Sequence, residues 1–249
     1  MSGDPHGDGR LIRGGAALDG AAGAVVLLHG RGATAEGILG LGRELGRSDL
    51  ALLAPQAAGG AWYPQSFLAP LEANEPWLSS AVRAATRAVA VAEAAGVPRE
   101  RVVLAGFSQG ACLACETVAR HAGGGRWGGL VALSGGLIGT GPAPPAAAPP
   151  GAAPPGAAPP GAAPLRALGR TWADQAFDYA GSLAGVPAFV GCSDVDPHIP
   201  PARVERTAAV LRSLGADVDL RVYPGFGHAV NADEVDAARD LLARAVPAA

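Results

Sequence analysis

Six short apolar runs recur along the chain, and stretches of different spacing separate them. The runs are AVVLLHG from Ala24, LALLAP from Leu50, RVVLAG from Arg101, GLVALSG from Gly129, VPAFVGC from Val186 and DVDLRVY from Asp217. A run that is largely apolar, without strict alternation of polar and apolar positions, is typical of a strand buried on both faces of a parallel sheet. The sequence therefore predicts six core strands.

Two of the stretches between these runs have the pattern of a helix. From Glu75 to Ala95 apolar residues recur every three or four positions, and Gly96 ends the pattern. The segment PARVERTAAVLRSLG, residues 201–215, opens on a proline and closes on a glycine, as helices commonly do. Alternating strands and helices predict an α/β fold, with a mostly parallel sheet and helices on both faces.

One segment, residues 141–164, interrupts this alternation. It consists almost entirely of Pro, Ala and Gly, and GAAPP repeats from residue 151. Proline fixes φ and lacks an amide donor, so neither a helix nor a central strand is expected there. We predict an extended or disordered surface loop inserted into a single domain, residues 1–249. A boundary between two domains is the alternative, but the strands and helices after the insertion would complete the sheet begun before it.

Composition narrows the range of partners. The chain has 249 residues, 49% of them hydrophobic, and a net charge of -3, which suits one α/β domain with a full core. No basic stripe indicates a nucleic-acid partner. No apolar run reaches the length of a membrane-spanning helix and no secretory signal is evident, so we expect a cytoplasmic protein without stable membrane insertion. The sequence leaves the oligomeric state open.

The cysteines do not indicate a bound group. Cys112 and Cys115 form a CxxC motif, but they lie inside an apolar helical run. Small buried thiols are common in such runs, and no further Cys pair or His supplies the ligand spacing of a zinc site. We therefore expect buried core residues rather than a redox or metal site, and we predict no metal and no cofactor.

The stretch GFSQG, residues 106–110, carries the first candidate chemistry. It follows the strand RVVLAG and precedes the helical ACLACETVARH, which is the context of a nucleophile elbow. In such a turn glycines stand where a Cβ would collide, and the serine hydroxyl is lifted above the end of the strand. The alternative is that Ser108 is only a small polar residue between two glycines.

An acid and a histidine follow at later strand ends. GCSDVDPHIP comes directly off the fifth run and offers Asp194 and Asp196, and PGFGHAV comes off the sixth and offers His228. A serine needs a base to take its proton, and that base needs an orienting acid. The order serine, acid, histidine suits a sheet that brings all three to one edge. Alternatively, Asp196 starts a turn before Pro197, and His228 is a solvated loop residue.

The motifs LLHGRGATA, GFSQGA, DPHIP and PGFGHAV together resemble the phospholipase/carboxylesterase family of α/β-hydrolases, which includes the acyl-protein thioesterases. The resemblance runs from about Ala24 to the end of the chain. It implies the α/β-hydrolase fold, with Ser108 as nucleophile, His228 as general base and acid, and Asp196 as the acid that orients His228. Asp196 is preferred because an Ile-Pro pair follows it, as in the family. Asp194 remains the alternative, because a Gly-x-x-Asp spacing counted from Gly191 would select Asp194 instead.

The same resemblance implies an oxyanion hole. One donor would be the backbone amide of Gln109, after the nucleophile, and the other the backbone amide of Arg31, after the strand-end pair His-Gly. His29 is interpreted as a structural residue that steadies this loop rather than as a second base.

Substrate contacts are harder to predict. The segment GAWYPQSFLAP places four large apolar residues in a Gly/Pro-rich loop. Because relatives use this region beside the acyl group, the candidate walls of a substrate pocket are Trp62, Tyr63, Phe67 and Leu68. A separate hydrophobic cluster under the loop is the alternative. His198 either faces the site or lies on the surface.

The function predicted from these residues is that of a cofactor-free serine hydrolase. It would cleave carboxylic esters of small molecules through an acyl-enzyme intermediate, with thioesters and lysophospholipids as further candidate substrates. One alternative is a noncatalytic binding protein on a hydrolase fold. The other is an enzyme like dienelactone hydrolase, but such enzymes typically carry Cys at the elbow, where this chain has Ser108.

Overall fold

A single seven-stranded sheet organises the residues that the computed structural model describes, 3–139 and 177–247. The strands are β1 (Leu11–Gly15), β2 (Gly23–Leu28), β3 (Leu50–Pro55), β4 (Val102–Phe107), β5 (Gly129–Leu133), β6 (Pro187–Ser193) and β7 (Asp217–Tyr223). Their order in the sheet is β1-β3-β2-β4-β5-β6-β7. β1 runs antiparallel to β3, and the other neighbouring strands are parallel.

Within the same residues, five α-helices cover the two faces of the sheet. They are α1 (Ala35–Glu44), α2 (Trp77–Ala94), α3 (Gln109–Arg120), α4 (Pro201–Ser213) and α5 (Ala232–Ala245). α2, α3 and α4 pack on one face, and α1 and α5 pack on the other. Side chains alternate along a strand. Val26 of β2 therefore packs in the hydrophobic cluster with α2, α3 and α4, and Val25 packs in the cluster with α1 and α5. The predicted α/β fold is confirmed.

Three elements escape the pattern of apolar runs. β1, with the sequence LIRGG, lies at the edge of the sheet and is only partly buried, so it has no need of a continuous apolar run. α1 contains three glycines, which lower helix propensity, and the side chain of Thr34 caps it by accepting a hydrogen bond from the Gly37 amide. α5 begins with a capping box between Asn231 and Glu234.

The six predicted core strands are all present, and their parallel arrangement gathers the candidate residues. β5 and β6 pair in parallel although the predicted insertion separates them in sequence. The insertion itself, residues 141–164, lies outside the described residues, and the assignment of one domain to the whole chain stays a prediction. Since β2, β4, β6 and β7 run in the same direction, the loops after them meet at one edge of the sheet.

Candidate active site

Ser108 lies at a sharp turn between β4 and α3. Its backbone has φ 56° and ψ -122°, an uncommon conformation for a residue other than glycine. The two glycines of the motif permit this turn. A Cβ at Gly106 would collide with the backbone of Gly110, and a Cβ at Gly110 would overlap the carbonyl group of Leu28 in β2. The predicted strand–turn–helix geometry is therefore present around the serine.

His228 and Asp196 meet Ser108 across the edge of the sheet. The Nε2 atom of His228 lies 2.9 Å from the Ser108 Oγ, and its Nδ1 atom lies 2.7 Å from the Asp196 Oδ2. The carboxylate accepts a hydrogen bond from the protonated Nδ1, so Nε2 carries no proton and can accept the serine proton. The three side chains thus form one continuous series of hydrogen bonds.

The carboxylate of Asp196 is buried and held in place by several donors. Its Oδ1 atom accepts hydrogen bonds from the backbone amides of His198, at 2.8 Å, and Ile199, at 3.0 Å. Burial alone would raise the pKa of Asp196, but the hydrogen bonds from His228 and from these two amides outweigh it and keep the pKa below its ordinary value. The carboxylate is therefore ionised near neutral pH.

The alternative acid, Asp194, makes a different contact. Its Oδ1 accepts a hydrogen bond of 2.7 Å from the Gly225 amide, in the loop that precedes His228. The structure therefore brings Asp196 to the imidazole of His228, whereas Asp194 contacts the backbone of the histidine's loop.

Two rings flank the imidazole of His228. The ring centroids of Phe107 and His228 are 4.9 Å apart, and those of His198 and His228 are also 4.9 Å apart, in an edge-to-face arrangement. Of the two locations considered for His198, the structure has the one against the site, although the residue is also exposed to solvent. These contacts limit the rotation of the His228 ring.

Arg31 and Gln109, whose amides are the predicted oxyanion donors, share a structural partner: the backbone of residues 62–65, called here the 62–65 loop. The Gln109 side chain accepts a hydrogen bond from the Trp62 amide and donates one to the Tyr63 carbonyl, both at 2.9 Å. The Arg31 guanidinium donates to the carbonyls of Tyr63, Pro64 and Gln65 at 2.8–3.1 Å. Neither backbone amide has a backbone acceptor among the described residues. Their oxyanion role stays a prediction.

His29 is fully buried beneath this loop. Its Nε2 accepts a hydrogen bond of 3.1 Å from the Ala57 amide, so Nδ1 carries the proton and donates to the Gly30 carbonyl at 2.8 Å. Burial lowers the pKa of His29, which favours this neutral form. With both ring nitrogens engaged in backbone contacts, His29 has the geometry of a structural residue.

The four residues predicted as pocket walls differ in burial. Trp62 is 0% exposed, and its indole donates a hydrogen bond of 2.8 Å to the His29 carbonyl. Tyr63 and Phe67 are also buried, at 1% and 7% exposed, and Leu68 is partly exposed. The side chains of Trp62 and Tyr63 thus lie in the core beneath the site, which matches the alternative of a hydrophobic cluster under the loop. A contact of any of the four with substrate stays a prediction.

Sequence reasoning missed three residues beside the site. Val195 and Phe226 are large apolar side chains that are 57% and 44% exposed, and they lie within two residues of Asp196 and His228. The sequence PGFGHAV places Phe226 between two glycines, and this pattern could have predicted an exposed aromatic residue beside His228. Ser193, at the end of β6, bonds to the loop of His228, and no sequence signal distinguishes it.

Three further features concern the cysteines, metal-ligating side chains and the character of the helices. Cys112, Cys115 and Cys192 are buried free thiols, and burial raises the pKa of Cys112 to about 12, so the CxxC motif lies in the core as expected. Across residues 3–139 and 177–247, no cluster of three or more His, Cys, Asp or Glu side chains could hold a metal ion. In the same part of the chain, no helix combines the length and apolar character needed to cross a membrane.

The chain is similar in sequence and in fold to several known proteins. A family model described as Phospholipase/Carboxylesterase matches residues 16–147. A phospholipase/carboxylesterase from Dyadobacter fermentans is 34% identical in sequence, with a TM-score of 0.76 over 94% of this chain and 96% of that one. The carboxylesterase of Bacillus cereus, 18% identical with a TM-score of 0.63 over 96% of this chain and 95% of its own, shares the fold.

A curated relative matches a shorter region. Acyl-protein thioesterase 1 of Gibberella zeae is 27% identical over 158 residues, which are 61% of this chain and 51% of the relative, so the chain spans about half the length of that protein. The family model covers more than half of the chain, and the Dyadobacter structure matches nearly all of it. The chain belongs to the phospholipase/carboxylesterase family of α/β-hydrolases.

Proposed function

We propose that this protein is a serine hydrolase that cleaves carboxylic esters through an acyl-enzyme intermediate. The observation that carries the proposal is the pair of short contacts at His228, 2.9 Å to the Ser108 Oγ and 2.7 Å to the Asp196 Oδ2. A serine hydroxyl becomes nucleophilic when a base in this position accepts its proton. The family of the chain is one of esterases, which supports the same reaction class.

Acylation begins with attack of the Ser108 Oγ on the ester carbonyl carbon. The hydroxyl proton passes to the Nε2 atom of His228, and the carbonyl electrons move onto the oxygen to give a tetrahedral oxyanion. Asp196 remains ionised and stabilises the imidazolium formed at His228. When the intermediate collapses, the bond to the leaving group breaks, and His228 returns the proton to the departing alcohol.

The oxyanion would be stabilised by the backbone amides of Gln109 and Arg31. Gln109 is the first residue of α3, where the helix dipole adds positive potential. The guanidinium of Arg31 is engaged with three carbonyls of the 62–65 loop, so its amide rather than its side chain serves this role. Losing one such donor typically lowers kcat by about 100- to 1000-fold.

Deacylation repeats these steps with water as the nucleophile. His228 takes a proton from water, the hydroxide attacks the acyl carbonyl, and the bond to the Ser108 Oγ breaks as the serine recovers its proton. The carboxylic acid leaves and the enzyme returns to its starting state. The groups that change protonation state in this cycle are Ser108, His228, water and the leaving group. These steps therefore need no cofactor.

Small-molecule carboxylic esters are the proposed substrate class, and thioesters are included because an acyl-protein thioesterase is among the relatives. Both classes present the same acyl carbonyl to Ser108 and differ in the leaving group. Which of the esters, thioesters and lysophospholipids the protein prefers depends on substrate contacts other than those with Ser108, His228 and Asp196. The cytoplasmic location expected from the sequence stays a prediction.

A fluorophosphonate probe tests the nucleophile directly, because it reacts with a serine only when that serine is activated. We expect the wild-type protein to be labelled at Ser108, and Ser108→Ala to lose both labelling and at least about 10⁴-fold of its ester hydrolysis. Ser134→Ala is a matched control, because Ser134 directly follows the neighbouring strand β5 and also has a positive φ, 50°. Labelling that survives Ser108→Ala would refute the assignment.

Substrate class is tested with p-nitrophenyl esters of increasing acyl length, run beside the corresponding thioesters. We expect turnover of at least the short esters, abolished by Ser108→Ala. A dienelactone run in parallel distinguishes the alternative hydrolase, which would prefer it. Binding of ester analogues with neither turnover nor labelling would instead indicate the noncatalytic alternative.

A further inference from the structure

The hydroxyl group of Ser193 joins two loops of the site. It accepts a hydrogen bond from the amide of Val195, at 3.2 Å, within the loop that carries Asp196. It also accepts hydrogen bonds from the amides of Phe226, at 3.2 Å, and Gly227, at 3.0 Å, in the loop that carries His228. Three backbone donors from two strand ends therefore converge on one side-chain oxygen.

This contact lies where the sheet ceases to connect the two loops. The β6–β7 ladder ends at the pair Ser193 and Tyr223. Just beyond it, the Asp194 amide donates to the Tyr223 carbonyl at 3.0 Å, and the Asp194 carboxylate accepts from the Gly225 amide at 2.7 Å. After this last backbone bond, the side chains of Ser193 and Asp194 accept hydrogen bonds that continue the connection between the two loops.

The loop that precedes His228 needs such a constraint. Gly225 and Gly227 adopt φ of 67° and 81°, and glycine has access to many other backbone conformations. Ser193 is only 2% exposed, so its oxygen is shielded from competing water. A shift of the Gly227 backbone would move the adjacent imidazole and lengthen the 2.9 Å contact with Ser108.

We propose that Ser193 is a positioning residue, whose hydroxyl fixes the backbone of residues 226–227 and thereby sets the distance between the His228 Nε2 and the Ser108 Oγ. This proposal rests on the proposed function, in which that distance governs proton transfer. It predicts a defect in turnover rather than in substrate binding, because Ser193 acts through His228 and has no part in the chemistry itself.

The test compares Ser193→Ala, which removes the hydroxyl, with Ser193→Cys, which replaces the hydroxyl oxygen with a larger sulfur atom that is only a weak acceptor. Ser134→Ala is the matched control. Ser134 is buried at the end of the neighbouring strand, and its hydroxyl has no hydrogen-bond partner among the described residues. The measurements are kcat and KM on a p-nitrophenyl ester, the rate of fluorophosphonate labelling, melting temperature, and the NMR signals of the His228 ring, assigned with His228→Ala.

For Ser193→Ala we expect kcat and the labelling rate to fall together by about 10- to 100-fold, since misplacement of a reacting group by about 1 Å can have an effect of this size. KM should change by less than about threefold, because the substrate contacts are untouched. The His228 ring signals should shift or broaden. Ser193→Cys should show the same changes to a smaller extent, and Ser134→Ala should leave kcat and the labelling rate unchanged.

The proposal is overturned if a folded Ser193→Ala keeps wild-type kcat and an unchanged His228 spectrum, or if Ser134→Ala loses as much activity. Should Ser193→Ala fail to fold, Ser193→Cys with wild-type kcat and an unchanged His228 spectrum overturns it equally. Failure of the proposed function is a separate outcome, because the wild-type protein would then be neither labelled nor active, while the His228 spectrum would still report on the positioning.

Discussion

The two sides of the active site are held in place by different means. The nucleophile side consists of Ser108, the two proposed oxyanion donors and the 62–65 loop, and it lies largely over buried side chains. The acid–base side consists of the loops after β6 and β7, and it presents Val195 and Phe226 to solvent at 57% and 44% exposure. The first side is fixed by close packing together with buried hydrogen bonds, and the second mainly by a few polar contacts between loops.

Burial on the nucleophile side extends to the start of the described chain. His6 is 1% exposed, and the centroid of its ring lies 5.5 Å from that of Trp62 and 5.4 Å from that of Trp77. Its Nε2 donates to the Trp62 carbonyl at 2.9 Å, while its Nδ1 accepts from the Ala58 amide at 3.0 Å. Trp62 in turn contacts His29 and Gln109, so the loop beneath the site is fixed from several directions.

The difference predicts how each side responds to substitution. Removing a contact on the nucleophile side leaves a buried polar group unpaired, so the loss should be seen first in stability. Removing a contact on the acid–base side should be seen first in turnover, because the loops there pack less and their hydrogen bonds orient the reacting groups.

The largest expected effect is on the acid–base side, at Asp196. Asp196→Asn should lower kcat by about 10⁴-fold, because an amide neither holds the required tautomer of His228 nor stabilises its protonated form. Asp194→Asn should cost less than about tenfold, because its amide oxygen can still accept the hydrogen bond from Gly225. The measurement is kcat on p-nitrophenyl acetate, with circular dichroism to check folding. A larger loss in Asp194→Asn would transfer the orienting role to that residue.

These residues also show which features of the site could be predicted from the sequence. That Ser108, Asp196 and His228 lie close together could be expected from the sequence, because each follows a strand of a parallel sheet, in the chain order serine, acid, histidine that is typical of this fold. Asp196 was preferred over Asp194 by resemblance alone, and the contact to His228 is visible only in the folded protein. The core strands were predictable because burial on both faces of a sheet demands apolar runs.

The supporting contacts were not predictable from the sequence. His6 and Trp62 are 56 positions apart, and Ser193 lies 34 positions from Gly227. Such pairs depend on how loops meet after folding, and a serine or a histidine in a polar stretch has no pattern that reveals its partner. Trp62 shows the converse difficulty, since a large aromatic residue in a Gly/Pro-rich loop fits a pocket wall and a buried anchor equally well.

A second prediction compares two side chains that hold the 62–65 loop. Gln109 is 6% exposed, so Gln109→Ala would leave the Trp62 amide unpaired in the interior and would remove one of the two donors to the Tyr63 carbonyl. We expect the free energy of unfolding to fall by about 2 kcal/mol. Arg31→Ala should cost less than about 1 kcal/mol, because two of its three acceptors are in exposed contacts where water can replace the guanidinium.

Urea denaturation of both variants measures this difference, and both keep the backbone amides proposed for the oxyanion hole. Equal losses of stability would mean that burial does not distinguish the two contacts. If turnover fell far more than stability in Gln109→Ala, the nucleophile side would also depend on polar positioning, and the contrast between the two sides would be wrong.

A third prediction uses pH to separate the two sides. Burial lowers the pKa of His6 and His29 from the ordinary value of 6.5, so the unfolded chain binds more protons than the folded one, and their contribution to stability is lost as pH falls below about 6.5. At the start of α5, burial raises the pKa of Glu234 from 4.5 to about 7. There the folded chain binds more protons, so stability is lost as pH rises from about 4.5 to about 7.

Glu234→Gln isolates the second effect, because glutamine can keep the capping box with Asn231 but cannot ionise. The stability of the variant relative to wild type should increase by about 3 kcal/mol between pH 4.5 and 7 and stay constant above it. Urea denaturation across this range measures the change, with Glu36→Gln, at an exposed first-turn glutamate of α1, as the control. A difference independent of pH would contradict the prediction.

The smallest expected effect concerns the exposed apolar residue beside His228. Phe226 is 44% exposed two residues before His228, so a long acyl or alkyl group leaving the site on this side could bury part of the ring. Partial burial of a phenyl ring contributes about 1 kcal/mol, so Phe226→Ser should lower kcat/KM on long-chain p-nitrophenyl esters about fivefold and leave the acetate ester unchanged.

Val222→Ser is the matched control, because Val222 is 40% exposed but lies within β7 rather than in the loop of His228. Neither substitution should lower the melting temperature appreciably, since both side chains already face solvent. If Phe226→Ser slowed the acetate and the long-chain esters equally, the ring would be holding the loop of His228 in place, and the acid–base side would depend on packing as well as on its polar contacts.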